Sequence, residues 1–355
     1  MYTKKVYKIK DMAKWTRYET FLFITIITGF VALNYFLDLG WLKIPWTPLA
    51  LIGTAVAFVI GFQNNSAYGR IWEARKIWGG IINTSRTFGV FVQDMVNNEH
   101  ATEKLSNEEL QKEIKILTYR HIAWLTALRH AMRVAKPWET VIHEKANKEL
   151  LKLTGFGPPE WQSKVDEDMK AYLSQQDMDY VMSKNNKQTA VLYLQSHHLK
   201  SLKEKGIVWE FAFLELEGIV KEMFTLQGQS ERIKNFPYPR QFATLNHYFM
   251  WIFILLLPLA IVPQFAEIGN EMMAAHPTIG SLFIWLSIPF YVIVAWIFHT
   301  MERIGRTGEN PFEGSANDVP ISTIARGIEI DLRQNLGESL EDIPKQYPMV
   351  FDTQM

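Results

Sequence analysis

Four stretches of the chain contain no charged side chain, and they constrain the fold more than any other feature. Roughly 20 helical residues cross the roughly 30 Å apolar core of a bilayer. The stretches have 17, 19, 25 and 30 residues, which is typical of transmembrane helices, and they occupy 21–37, 44–62, 242–266 and 272–301. They form two pairs with short connectors, and each pair is predicted to be a helical hairpin. The sequence therefore predicts a membrane protein with four spans.

Basic residues on either side of these windows predict the orientation of the spans. Lysine and arginine are concentrated before the first window, after the second, before the third and after the fourth. The two hairpin connectors, 38–43 and 267–271, together contain a single basic residue, Lys43. Because basic residues are retained on the cytoplasmic side, both termini and the long middle section are predicted to be cytoplasmic.

These boundaries divide the chain into five segments. They are a cytosolic N-terminal segment (1–20), a transmembrane hairpin (21–62), a cytosolic region (63–241), a second hairpin (242–301) and a cytosolic C-terminal segment (302–355). The cytosolic region is predicted to be helical, since its apolar residues recur at helical spacing without strand-like alternation. The predicted helices are 70–96, which continues the second span, 110–134 with a capping box at Ser106 and Glu109, 162–175, 177–204 and 207–226.

Composition and motifs disfavour several functional classes. The chain has no cysteine, which excludes disulfides, iron–sulfur clusters, thiolate zinc sites and a cysteine nucleophile. Its 37 basic residues balance 37 acidic ones, whereas a nucleic-acid-binding protein would show a basic excess. No phosphate-binding loop, dinucleotide fingerprint, serine-hydrolase elbow or zinc-protease motif is present. The adjacent His197 and His198 point about 100° apart on a helix and cannot share one metal-binding face. We therefore expect no enzyme activity, no cofactor, no metal site and no nucleic-acid partner.

A stripe of three residues is the candidate functional feature of the second span. Thr54, Phe58 and Phe62 are spaced i, i+4, i+8 and share one helix face. Small residues on the same helix, such as Gly53 and Gly61, let other helices approach closely. Two interpretations remain open. The stripe faces lipid or the protein core, or it lines a pore in which phenylalanine rings form a hydrophobic constriction around an axis shared by several copies.

Motifs at opposite ends of the chain resemble those of a known family. Residues 61–79, GFQNNSAYGRIWEARKIWG, resemble the GFRNN-x-AY-x-R-x-x-EAR-x-x-WG signature of prokaryotic bestrophins. Residues 309–312 (ENPF), 317–320 (NDVP) and 328–332 (IEIDL) are similar to later motifs of the same family. The resemblance covers nearly the whole chain and agrees with the four-span plan. On this basis the chain resembles a bacterial bestrophin homologue.

This resemblance implies an all-α, homopentameric ion channel of the cell inner membrane, with a single axial pore lined by the second span. The three hydrophobic neck positions of the family align with Thr54, Phe58 and Phe62, and Thr54 stands where a branched aliphatic residue is usual. A second, cytosolic constriction aligns with Phe211, for which packing in the core is the alternative.

The resemblance also directs attention to residues 310–318. Animal bestrophins bind calcium through the segment that aligns here, and Asn310 and Asp318 match its ends. Calcium prefers roughly six to eight oxygen ligands, largely from carboxylates. Because the segment supplies too few carboxylates, we expect it to cap and staple the C-terminal segment rather than to mediate calcium activation.

The sign of the permeant ion stays open, because the family contains both anion-selective and cation-selective members. An aromatic ring has a positive edge and a negative face, so a phenylalanine neck could favour chloride and other anions or sodium-type cations, according to its rotamers. The leading hypothesis is passive conduction of monovalent ions. The alternative is a membrane-anchored signalling or scaffold protein whose cytosolic region binds a partner. A coupled transporter is disfavoured because the four windows contain no charged residue to carry a coupling ion or proton.

Overall fold

The computed structural model describes residues 1–37, 41–140, 145, 148–149 and 157–355. The connector predicted at 38–43 therefore lies partly outside the described residues. Within the described ranges the chain is almost entirely helical, and its β pairing consists of isolated bridges that Thr353 makes with Tyr2 and Val350. The predicted all-α fold is confirmed.

Twelve α-helices have both ends within the described residues. In chain order they are α1 (Ile9–Trp15), α2 (Arg17–Leu37), α3 (Trp46–Met95), α4 (Asn107–Arg133), α5 (Val165–Met169), α6 (Gln175–Met182), α7 (Lys187–Glu204), α8 (Glu210–Asn235), α9 (Arg240–Met272), α10 (Pro277–Leu282), α11 (Ser287–Gly308) and α12 (Ile321–Asn335). Short 3₁₀ turns occupy Pro159–Trp161 and Phe283–Leu286.

Four helical segments are long and apolar enough to cross a membrane, as predicted. They are α2, α3, α9 and the run Pro277–Gly308, which joins α10, a 3₁₀ turn and α11. The helix predicted at 70–96 is continuous with the second span, because α3 runs without a break for 50 residues.

Three of the predicted helices between the second and third spans have different boundaries in the structure. Within the predicted helix 162–175 the only α-helical residues are Val165–Met169 and Gln175, with which α6 begins, so that prediction is wrong. The predicted helix 177–204 is divided into α6 and α7, because Asn186 caps α7 by accepting a 2.9 Å hydrogen bond from the Thr189 backbone N–H. The helix predicted at 207–226 begins later and is longer, since α8 spans Glu210–Asn235. The predicted capping box at the start of α4 is present.

The described chain forms two compact units. The charged unit comprises Met1–Thr3, Arg70–Phe236 and Asn310–Met355, and the span unit comprises Lys4–Gly69 and Pro237–Glu309. Helix α3 contributes residues to both. Each unit has its own cluster of buried apolar side chains.

The charged unit is organised around α4, which packs against α7, α8 and α12. Helix α7 ends at Glu204, and Gly206 in the turn that follows has a φ of +73°. A Cβ atom on Gly206 would lie 2.2 Å from the carbonyl oxygen of His100, so both the backbone conformation and the space require glycine. This turn leads directly into α8, whose first turn carries Phe211.

The span unit is built from α2, α9 and α11, together with the first part of α3. Pro258 lies inside α9 and has no N–H for the carbonyl of Ile254 one turn earlier. The buried hydroxyl of Tyr291 on α11 donates a 3.2 Å hydrogen bond to that carbonyl. An apolar environment requires such a replacement, because no water is available to satisfy the free carbonyl.

Candidate functional site

The predicted stripe lies on an uncovered face of α3. Thr54, Phe58 and Phe62 are all exposed in the isolated chain, Phe58 by 66% and Phe62 by 57%. The two phenylalanine rings contact each other edge to face, with centroids 4.5 Å apart and an interplanar angle of 85°. The hydroxyl of Thr54 donates to the Ala50 carbonyl at 2.9 Å, so its only proton is used within the helix. The structure therefore brings the three predicted residues together.

The opposite face of α3 packs against other helices of the span unit. Val56 and Ile60 are buried there, in the same cluster as Phe253 of α9. Gly53 permits this packing, since a Cβ atom at that position would lie 2.7 Å from the ring of Phe253. The exposed stripe is therefore not part of the core of the chain, which leaves contact with lipid and lining of a pore as the two interpretations.

A buried polar network begins at the residue that follows Phe62. The Gln63 amide donates to Glu309 at 2.9 Å and accepts from the Asn246 amide at 3.1 Å. Arg240 donates to the other oxygen of Glu309 at 3.1 Å. Gln63, Asn246 and Glu309 are each less than 5% exposed, so α3 is tied to α9 and to the end of α11 by satisfied polar groups.

The neighbouring amide holds the same part of α3 against α11. Asn64 donates to the carbonyls of Ile60 at 3.0 Å and Met301 at 3.1 Å. Gly305 allows this approach, because a Cβ atom there would lie only 3.2 Å from the Asn64 side-chain oxygen.

Sequence reasoning missed this network, although Gln63 and Glu309 both belong to the motifs that carry the family resemblance. The signal was the presence of strongly hydrogen-bonding groups at the ends of apolar windows. Such groups are buried only with a partner.

The other end of the stripe-bearing segment is anchored through the backbone. Pro263 lies inside α9 and leaves the carbonyl of Leu259 without its helical donor. The backbone N–H of Ile44, two residues before α3 begins, donates to that carbonyl at 3.2 Å. The segment that carries the stripe is thus held both before Thr54 and after Phe62.

Phe211, the predicted second constriction, lies in the first turn of α8 in the charged unit. Its side chain is 65% exposed, and its ring centroid is 5.2 Å from that of Trp209. Core packing within the chain, the alternative considered from the sequence, is therefore not its role.

The segment that includes Asn310 and Asp318 is occupied by its own hydrogen bonds. The buried Asp318 carboxylate accepts from the Ser315 hydroxyl, and the Arg133 guanidinium lies 3.5 Å away. Asn310 donates to Glu313 at 3.4 Å. Burial raises the pKa of Asp318, although Arg133 opposes this rise. Among the described residues no group of three or more His, Asp or Glu side chains is placed to hold a metal ion.

Comparison with known proteins agrees with this architecture. A family profile described as Bacterial/Fungal Bestrophin protein matches residues 18–334. The voltage-dependent anion channel-forming protein YneE of Escherichia coli is 22% identical over 312 residues, which is 88% of this chain and 83% of that protein. A voltage-dependent anion channel-forming protein of Ralstonia nicotianae is 25% identical over 336 residues, covering 93% of this chain and 91% of its relative.

The fold is also found among solved structures. A bacterial bestrophin homologue from Klebsiella pneumoniae superposes with a TM-score of 0.68 at 17% identity, covering 91% of this chain and 98% of that one. Because the family profile spans most of the chain, including both motif regions, the chain belongs to the bacterial and fungal bestrophin family.

Proposed function

We propose that this chain is the subunit of an ion channel in which α3 lines the pore. The observation that carries the proposal is the exposed stripe of Thr54, Phe58 and Phe62 on a helix segment that is anchored at both ends. Family membership and the channel-forming relatives support the same assignment.

The proposed assembly is a homopentamer around one axis. A single chain cannot enclose a pore with one helix face, and two large exposed aromatic rings need either lipid or other subunits to cover them. In the assembly, segments 1–20, 63–241 and 302–355 are cytoplasmic and the hairpins 21–62 and 242–301 lie in the inner membrane. The concentration of basic residues in the former supports this orientation.

Permeation is proposed to be passive. Phe58 and Phe62 form a hydrophobic neck. The Thr54 side chains of the subunits surround the same axis, and each hydroxyl already donates its proton to a carbonyl of its own helix. Phe211 forms a separate cytosolic constriction. A narrow apolar neck controls conduction through its wetting, and it requires no cofactor or chemical step.

The proposed permeant ions are monovalent anions, with chloride as the simplest case. The names of the curated relatives favour anions, and the positive edges of the neck rings supply a physical means of attracting them. Conduction of monovalent cations at ring faces is the competing outcome.

The deciding experiment is a reversal-potential measurement on purified protein in planar bilayers under a potassium chloride gradient. A reversal potential near that of chloride supports an anion channel, and one near that of potassium assigns the opposite sign. The absence of current, together with a detergent complex of one 41.3 kDa chain rather than five, would identify the scaffold alternative instead.

The neck assignment is tested by the double variant Phe58→Ala, Phe62→Ala. We expect larger conductance or relaxed gating, because the rings no longer narrow the pore. The matched control is Phe21→Ala, Phe36→Ala, which removes two rings of α2 that are 72% and 74% exposed. Unchanged currents in the first variant would remove the neck assignment without affecting family membership.

A further inference from the structure

A cavity of about 420 Å³ in the charged unit is lined by none of the candidate pore residues. Its walls come from α4, from residues 172–174 with the first turn of α6, and from His198 on α7. Its volume lies within the range of roughly 300–1,000 Å³ that small-molecule sites occupy.

The cavity has an apolar and aromatic surface. The rings of Tyr119 and Tyr172 line it with centroids 5.9 Å apart, and the Ile116 side chain lines it as well. Both tyrosine hydroxyls are already used, since Tyr119 donates to Glu338 at 2.6 Å and Tyr172 to Glu329 at 2.7 Å. The rings are therefore available to a ligand mainly as carbon surface.

The acidic side chains of the wall already accept hydrogen bonds from neighbouring groups. The chain of contacts runs from Glu113 to His198 at 2.8 Å, from His198 to Arg120 at 2.9 Å and from Arg120 to Asp177 at 2.8 Å. Because arginine can only donate, His198 Nδ1 accepts the hydrogen bond from Arg120. The ring proton of His198 is therefore on Nε2, which donates a hydrogen bond to the Glu113 carboxylate. Burial, followed by the nearby Arg120 charge, lowers the pKa of His198, which keeps its ring neutral.

The cavity is lined by three basic side chains, Lys112, Lys115 and Arg120, against two acidic ones, Glu113 and Asp177. Lys112 is exposed on the α4 wall. Arg120 is 7% exposed, and its Nε–H has no hydrogen-bond partner among the described residues. Ser174 caps α6 by accepting from the Asp177 backbone N–H at 3.2 Å, so the positive end of that helix faces the same space.

We propose that this cavity binds a small organic anion with a ring-shaped or otherwise apolar body. The body packs against the tyrosine rings and Ile116, and the anionic group is placed near Lys112, Arg120 and the first turn of α6. This binding site is independent of the proposed channel function, since none of its residues belongs to the neck or to the cytosolic constriction.

The test is isothermal titration calorimetry on the full-length, detergent-purified protein near neutral pH. Phenyl phosphate is the probe because it joins an aromatic ring to an anion. Inorganic phosphate lacks the ring and benzylamine reverses the charge. We expect saturable binding of phenyl phosphate and, for either comparison compound, binding weaker by on the order of tenfold or more. No saturable binding of phenyl phosphate, or equal binding of all three compounds, would overturn the proposal.

Three variants locate the binding. Lys112→Glu is expected to weaken phenyl phosphate binding by on the order of tenfold, and Ile116→Trp to abolish it by filling the cavity. Lys104→Glu makes the same charge change at an exposed lysine outside the cavity and is expected to leave binding unchanged. Where Ile116→Trp lowers the melting temperature, the pair of lysine variants decides. Equal weakening by both lysine variants would show a general charge effect and contradict the site.

Discussion

The two units bury polar side chains in different ways. In the charged unit, opposite charges are paired in the interior, as in Arg129 with Glu160 and Lys234 with Glu139. Among the described residues of the span unit, the buried acidic and arginine side chains lie at the end of α11 and at the residue after it, and the central part uses uncharged donors such as Tyr291. A charge deep in an apolar environment is stable only with a complete set of partners, and the span unit avoids that demand over most of its length.

Glu160 shows how complete such a set is in the charged unit. Its side chain is fully buried, and it accepts from Arg129 and from the Ser322 hydroxyl at 2.8 Å, while Arg133 lies 3.8 Å away. Burial alone would raise the pKa of Glu160, but the two arginines outweigh it and the pKa is lowered. The carboxylate is thus held in its charged form by two arginines, whose other acidic partners are Asp168 for Arg129 and Asp318 for Arg133.

The largest predicted effect follows from this dependence. Glu160→Gln removes the charge and leaves Arg129 and Arg133 without their shared anion. We expect the charged unit to lose about 3–5 kcal/mol of stability, as when one partner of a buried pair is removed. Hydrogen exchange followed by mass spectrometry would show faster exchange in peptides from α4 and α12.

Glu267→Gln is the matched control in the span unit. Its ion pair with Lys43, at 3.3 Å, has side chains that are 62% and 59% exposed. Exposed pairs contribute at most about 1 kcal/mol, so exchange in α9 should change little. Comparable destabilisation by the two variants would remove the proposed difference between the units.

The next effect concerns acid sensitivity of the charged unit. His121 is buried between Phe88 and Trp124, with ring centroids 5.0 and 5.3 Å away, and burial lowers its pKa to about 3. Since the pKa in the folded state is below the unfolded value of about 6.5, the contribution to stability is complete above that value and is lost as the pH falls. At pH 5 the expected loss is about 2 kcal/mol.

His121→Phe should flatten this pH dependence. The change removes two ring nitrogens that have no hydrogen-bond partner among the described residues, and it retains the aromatic contacts. Melting temperatures measured between pH 7 and pH 5 would show a smaller decrease than in the wild type. His197→Phe, at an exposed position on α7, should follow the wild-type curve, and a flattened curve there as well would refute the assignment to His121.

A smaller effect is expected from close packing in the span unit. Gly53→Ala places a methyl group 2.7 Å from the Phe253 ring, which has to shift, and we expect a cost of about 1–2 kcal/mol. Gly61→Ala on the same helix meets no atom of its own chain within 4 Å and should be tolerated in folding. Thermal denaturation of both variants in detergent provides the comparison. A greater cost for Gly61→Ala would place a neighbouring subunit against that face.

The smallest effect is expected at the surface of the charged unit. Ser106 accepts from the Glu109 backbone N–H at 3.2 Å, and the Glu109 carboxylate accepts from the Ser106 N–H at 2.8 Å. Ser106→Ala should cost about 1 kcal/mol and speed hydrogen exchange in the first turn of α4 alone. Faster exchange throughout the unit would mean that the cap supports more than its own helix end.

Features that depend on a few neighbouring residues could be predicted from the sequence. The four spans followed from charge-free length, and the α4 capping box from the types and spacing of Ser106 and Glu109. The stripe on α3 followed from helical periodicity, although periodicity did not show which face the unit covers. That depended on Phe253, about two hundred positions later in the chain.

Features that depend on distant partners were not predictable in the same way. The sequence pattern is helical throughout α6 and α7, but Asn186 caps α7 and a new helix starts there. The pairing of Gln63 with Glu309 joins residues 246 positions apart, and only their presence in the family motifs associates them. Each of these depends on which elements meet in three dimensions.

The contact between Ile44 and Leu259 has a consequence for which substitutions the start of α3 can accept. The docking group is a main-chain N–H, which every residue except proline possesses, so this hydrogen bond by itself excludes only proline at position 44. The requirement falls instead on position 263, where any other residue would supply an N–H of its own and compete for the Leu259 carbonyl. Pro45 contributes as well, because a residue that precedes proline favours extended backbone, which keeps Ile44 out of the helix. Pro263 thus leaves a carbonyl free to accept, and the ring of Pro45 keeps the donor residue Ile44 outside the helix, so two prolines together fix where α3 begins.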